Sequence, residues 1–158
     1  MSSLPRVSES TRERISREFD NLGPEACVEE ITVSMRRHNP ELLDMALRCA
    51  VDIGDADQIM MGFAMFYRLL AAEAATDLAL PRVTPQTRGR IVQQIEQKGS
   101  EAFTHAALEL MERANPELLQ MAHRFATRQK HYLAMMQGLA LLYACLVAQA
   151  ADDRTVLH

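Results

Sequence analysis

Glu101, His105 and Glu109 recur at every fourth position. On a helix that spacing stacks an imidazole between two carboxylates on one face, a set that could ligate a divalent metal. Helical bundles that hold two irons draw further Glu or His ligands from facing helices, and no second ExxH or HxxxE element is present to supply them. A solvated face with i, i+4 pairing is therefore the expectation, and no metal or cofactor is assigned. Cys27, Cys49 and Cys145 show no CxxC spacing and are odd in number, which points to free thiols in a reducing compartment. No nucleophile stands beside a base, and neither a phosphate loop nor a paired-carboxylate cleft can be assembled. No catalytic residue is assigned, and a non-enzymatic role is expected.

The elements that must position these residues come from a repeat. The pentapeptide NPELL occurs at 39–43 and again at 115–119. The same shift of 76, from Asn39 to Asn115, aligns much more of the chain. Leu4-Pro5-Arg6-Val7 returns as Leu80-Pro81-Arg82-Val83, and Thr11-Arg12, Arg14 and Ile15 return as Thr87-Arg88, Arg90 and Ile91. Met35, Arg37, Met45, Ala46, Arg48 and Ala50 match Met111, Arg113, Met121, Ala122, Arg124 and Ala126. Met60, Gly62, Ala64 and Tyr67 match Met136, Gly138, Ala140 and Tyr143. About 30 of the 76 positions agree without a gap. The chain reads as a tandem duplication, with repeat units 4–79 and 80–155 co-folded as one compact domain.

Each unit reads as four helices. The first is expected over 9–21, and its copy opens with Thr84 as cap and Pro85 at the first helical position. Gly23 and Gly99 punctuate its end. The second is expected over 25–38. In NPELL, Asn39 is expected to cap, Pro40 to take the first position and Glu41 to favour the positive helix end, with Leu42 and Leu43 turned inward. This third helix should end near Gly54. The fourth, over 57–76, is apolar on nearly all sides, as is its copy Leu133–Ala151. The copy is long enough to cross a membrane, but Gln137, Tyr143 and Gln149 interrupt it and its sister carries Arg68 and Glu73. A central core helix is expected instead. The fold class follows: all-α, a duplicated four-helix unit packed as a pseudo-two-fold bundle.

Comparing the halves sorts the candidate residues. Cys27 and Cys49 align with Phe103 and Phe125, and Cys145 with Leu69, as expected of core-filling thiols. Arg48, Arg124, Tyr67 and Tyr143 are present in both halves and form candidate symmetric polar sites. The arginines, mid-helix among apolar neighbours, are expected to reach a carboxylate or carbonyl. Divergence concentrates at one turn. VDIGDADQ carries Asp52, Asp55 and Asp57, while its equivalent TRQKHYLA carries Arg128, Lys130 and His131. Unit one holds 8 Lys+Arg against 14 Asp+Glu, and unit two 9 against 7. Opposite charges at equivalent places mark an expected interaction surface.

TRERI followed by GPEACVEEI resembles the opening of the DNA-binding domain of TetR-like repressors over two short stretches. Where that family has a small-residue turn and a short recognition helix, this chain has MRRHNPELLDM, with acidic groups where phosphate would lie. With a net charge of −4, neither nucleic acid nor an anionic membrane is an expected partner. The opening MSSLPRVSESTRERIS has no apolar signal segment, and a cytoplasmic location is expected. The expected function is a protein-interaction or regulatory protein, with a protein partner or self-association. The alternative is a sensor or transcriptional regulator holding a small apolar ligand between the fourth helices.

Overall fold

The computed structural model describes residues 4–128 and 130–156; Gln129, within the RQKH turn, lies outside them. Among the described residues the fold is all-α. Its elements are α1 (Glu9–Leu22), α2 (Pro24–His38), α3 (Pro40–Ile53), α4 (Ala56–Glu73), a 3-10 turn (Asp77–Ala79), α5 (Pro85–Lys98), α6 (Ser100–Ala114), α7 (Pro116–Thr127) and α8 (Tyr132–Val156).

Local chemistry sets most of these limits. Ser8 and Thr84 accept from the backbone N–H groups of Thr11 and Thr87 at 3.1 and 3.2 Å, satisfying donors that the first helical turn leaves open. At Gly23 and Gly99 the backbone takes φ of 89° and 91°, a region that favours glycine, and the chain turns there into α2 and α6. The fourth helix stops sooner than expected. Ala75 adopts φ 72°, which no right-handed helix tolerates, so α4 ends at Glu73.

The asparagines of NPELL do not cap their helices. Neither Asn39 nor Asn115 makes a side-chain cap bond. Each is 1% exposed, and each clamps an extended segment far along the chain. Asn39 donates to the Pro81 carbonyl at 2.7 Å and accepts from the Val83 N–H at 3.0 Å. Asn115 donates to the Pro5 carbonyl at 2.8 Å and accepts from the Val7 N–H at 2.9 Å. A carboxamide offers a donor and an acceptor side by side, which suits an extended backbone's C=O and N–H two residues apart. These segments carry no backbone ladder, so Asn39 and Asn115 satisfy groups that would otherwise be orphaned on burial.

Helices α4 and α8 form the centre. Helix α4 packs on α1, α2, α3 and α7, and α8 packs on α3, α5, α6 and α7. Buried Phe63, Phe66, Tyr67 and Leu70 on α4 meet Met135, Leu139, Leu142 and Tyr143 on α8 in one core cluster. Phe66 and Tyr143 meet edge to face with centroids 6.3 Å apart, the arrangement ring quadrupoles favour. Close approach is permitted by Gly62, whose absent Cβ would lie 2.7 Å from the Phe125 ring, and by Gly138, where it would lie 2.6 Å from Phe63. Helix α8 is long and apolar enough to cross a membrane by length and composition, yet 61% of its apolar window is buried inside the fold.

Ion pairs add cross-links between distant segments. Arg12 pairs with Glu117 at 2.9 Å, and Arg88 pairs with Glu41 at 3.0 Å and with Asp44 at 2.7 Å. Partly exposed pairs of this kind contribute little energy, but each fixes where the start of one helix lies against the start of another.

Candidate interaction surface

The α3–α4 turn is short because Gly54 takes φ 109°, reversing the chain before Asp55 opens α4. That leaves Asp52, Asp55 and Asp57 exposed. The α7–α8 turn leaves Arg128 and Lys130 exposed and His131 half-buried. These two turns, oppositely charged in the sequence, lie side by side: His131 Nε2 stands 3.8 Å from an Asp55 carboxylate oxygen. An exposed pair at this distance holds the turns only weakly. Its value is positional, since it joins the turns into one surface. Apolar side chains flank that surface, with Val51 69% and Leu133 74% exposed.

Two other members of the expected surface line grooves of their own. Asp52 lines a groove between α3, α6 and α8 that also contains Cys49, Ile95 and Gln137. Arg128 lines a separate groove, between α1, α4 and α7.

The symmetric polar residues do not converge on a site. Arg48 lies on the surface, its side chain 72% exposed, and reaches Asp44 one turn back at 2.9 Å. Arg124 is exposed and has no ion-pair partner among the described residues. Tyr67 and Tyr143 are 2% exposed in the core. Burial and the nearby Asp77 carboxylate push the Tyr67 phenol up to about 12, against a small opposing effect of Asn39. The Tyr67 hydroxyl nevertheless has no partner in regular hydrogen-bond geometry. Tyr143, beside Asn115, is likewise raised by burial.

Glu101, His105 and Glu109 stack on the outer face of α6, where His105 and Glu109 pair at 3.0 Å with both side chains well exposed. No group of three or more His, Cys, Asp or Glu residues is placed to hold a metal ion among the described residues. All three thiols are raised by burial first, Cys145 to about 12. A thiol held protonated is a poor nucleophile.

No protein-family model, curated protein or solved structure matches this chain.

Two features were not read from the sequence. One is a cavity of about 210 Å³ bounded by α1, α2, α4 and the 3-10 turn. In it Arg68 grips Glu18 through two hydrogen bonds at 3.1 and 3.2 Å, and Ser34 bonds to Asp77. Three carboxylates, of Glu18, Glu30 and Asp77, share this lining with the single guanidinium of Arg68. The other is the groove lined by Phe19, Met61, Met65, Leu69, Met121 and Phe125. Met61 and Met65 stand one turn apart in the sequence, but Met121 and Phe125 reach them only through the docking of α7 on α4.

Proposed function

We propose that this chain is a non-enzymatic protein-interaction or regulatory module, acting in the cytoplasm and built as a fused pseudo-dimer of residues 4–79 and 80–155. The pseudo-two-fold reading is supported by reciprocity. Asn39 holds the segment at Pro81 and Val83, while Asn115 holds the segment at Pro5 and Val7. Arg88 reaches Glu41 as Arg12 reaches Glu117. Ser8 donates its N–H to Glu73 at 2.8 Å as Thr84 donates to Gln149 at 3.0 Å. In every case the residue numbers correspond under the shift of 76. Shared residues thus account for the scaffold, and diverging ones are free to serve function.

The observation that carries the functional reading is the Asp55–His131 approach at 3.8 Å. It merges the two most divergent turns into one patch, with acidic Asp55 and Asp57 beside basic Lys130 and His131 and with exposed Val51 and Leu133 at the margins. Mixed charge around accessible apolar side chains is the composition of a protein-binding rim and anchor. The alternative, an apolar-ligand sensor with its pocket between the fourth helices, is less well supported: Phe63, Phe125 and Met135 fill the space around Gly62 and Gly138 at the crossing.

The test compares the purified chain with two variants, Asp55→Lys/Asp57→Lys and Leu133→Ser. Each is used to capture partners from its native cell extract and is followed by sedimentation for self-association. Loss of a captured protein or of an assembled species in both variants is the expected result. Identical captures and identical sedimentation would sink the reading.

A further inference from the structure

We infer that the groove between α1, α4 and α7 is a binding site for a fatty carboxylate. This goes beyond the interaction surface, does not depend on it, and relies on different residues.

The floor of the groove is apolar: Phe19 from α1, Met61, Met65 and Leu69 from α4, and Met121 and Phe125 from α7. Methionine thioethers are flexible and polarisable, so such a floor adapts to a hydrocarbon chain rather than to one fixed shape. Its free volume is about 320 Å³, at the small end of the range for ligand pockets. The floor does not end there. Met61 and Pro24 also line an adjoining hollow with Leu22 and Ala26, and Leu22 is 58% exposed. The two hollows together form a trough, which suits an extended chain better than a compact ring.

The rim supplies the head-group chemistry. Arg124, in the last turn of α7, and Arg128, just past the end of that helix, both line the groove. Neither has an ion-pair partner among the described residues, whereas Arg12, also on the rim, is engaged by Glu117 at 2.9 Å. Asp20 is the one carboxylate lining this groove and Glu25 lines the adjoining hollow, so within the groove itself two uncommitted guanidinium groups face a single acid. A guanidinium presents its donors as a planar fork that matches a carboxylate. An apolar floor under such a rim calls for a molecule with one anionic end and an aliphatic body.

The corresponding groove in the other half is a built-in comparison. There Gln137 stands for Met61, Cys49 for Phe125 and Asp52 for Arg128, and Arg48, the counterpart of Arg124, is taken up by Asp44 at 2.9 Å. Its volume is about 190 Å³. Smaller, and lined by an acid where the first has a base, it should repel the same ligand.

Titration calorimetry of the full chain with decanoate, decanol and decylamine tests this, alongside Arg124→Gln/Arg128→Gln. Decanoate should bind the unaltered chain saturably at one site. Decanol on the unaltered chain, and decanoate on the double arginine variant, should each bind at least tenfold more weakly. The inference is overturned by non-saturable decanoate uptake, or by decanol or decylamine binding as tightly as decanoate. Equal decanoate affinity in the double variant would overturn it too. Both arginines are exposed, so folding is expected to survive their substitution; the decanoate–decanol comparison on the unaltered chain stands in any case.

Discussion

The Asn39 carboxamide reaches across 42 positions to Pro81, donating to its carbonyl at 2.7 Å from a fully buried site. With its second bond, to the Val83 N–H, it does for an extended segment what a neighbouring strand would do in a sheet. Asn115 does the same for Pro5 and Val7, so two extended segments, at 5–7 and 81–83, are each held by a helix start far along the chain.

Removing one clamp should cost more than a helix cap would. Asn39→Ala leaves a buried carbonyl and a buried N–H without partners, and each such group costs roughly 1–3 kcal/mol. A loss of about 2–4 kcal/mol is expected in urea unfolding for Asn39→Ala, and similarly for Asn115→Ala. A loss below about 1 kcal/mol, the usual worth of a cap, would show that these bonds are not what holds the segments.

The glycines at the helix crossing should separate from an exposed one. Alanine at Gly62 or Gly138 gains helix propensity of roughly 1 kcal/mol but drives a methyl into Phe125 or Phe63. Overpacking of this kind costs about 1–3 kcal/mol, so both variants should be net destabilised. Gly89 in α5 is exposed and has nothing within 4 Å of an added Cβ. Gly89→Ala should therefore stabilise by about 0.5–1 kcal/mol. Thermal unfolding of the three variants side by side decides the point.

Acid should weaken the fold through carboxylates with fixed partners. The Arg88 hydrogen bond holds Asp44 below its ordinary 3.8. For Glu73, burial pushes upward, yet bonds from Ser8 and Thr11 bring it below its ordinary 4.5. A depressed folded-state value means the stabilisation is fully present above the unfolded-state value and disappears as pH falls through the folded one. Stability should thus be level above about pH 5 and decline below about 4.5. Arg88→Gln should flatten that decline; an unchanged acid limb would show that Asp44 does not contribute to it.

Tyr67 tests a hydroxyl buried without a regular partner. Tyr67→Phe removes a desolvated group at little or no cost, within about 0.5 kcal/mol of neutral in urea unfolding. A loss above about 1 kcal/mol would show that the hydroxyl is held after all, with Asn39 the nearest candidate.

Much of the fold was legible in local chemistry. Thr84 with Pro85, the glycines at 23 and 99, and the prolines after Asn39 and Asn115 all mark helix limits where the helices do begin or end. The apolar fourth segments were expected at the centre, and α4 and α8 stand there. Reading Asn39 and Asn115 as caps failed, because a cap and a long-range clamp place the same residue type at the same position. Only the partner distinguishes them, and it lies far along the chain. The expectation that Arg48 and Arg124 each reach a carboxylate or carbonyl holds for Arg48, which pairs with Asp44 at 2.9 Å, whereas Arg124 has no ion-pair partner among the described residues. Apolar neighbours in sequence do not say which side of a helix one long side chain leaves, and both leave towards solvent.

The sequence by itself determined that this protein is helical, where its helices start and stop, and which segments are apolar enough to be central, because capping, backbone freedom and hydrophobic period are properties of near neighbours. Only the tertiary structure decided that Asn39 meets Pro81, that Asp55 meets His131, and that Met121 and Phe125 complete a floor begun by Met61 and Met65. Those contacts depend on how whole helices dock on one another. That docking is set by the close crossing at Gly62 and Gly138 and by the burial of both central helices, and no short stretch of the chain encodes it alone.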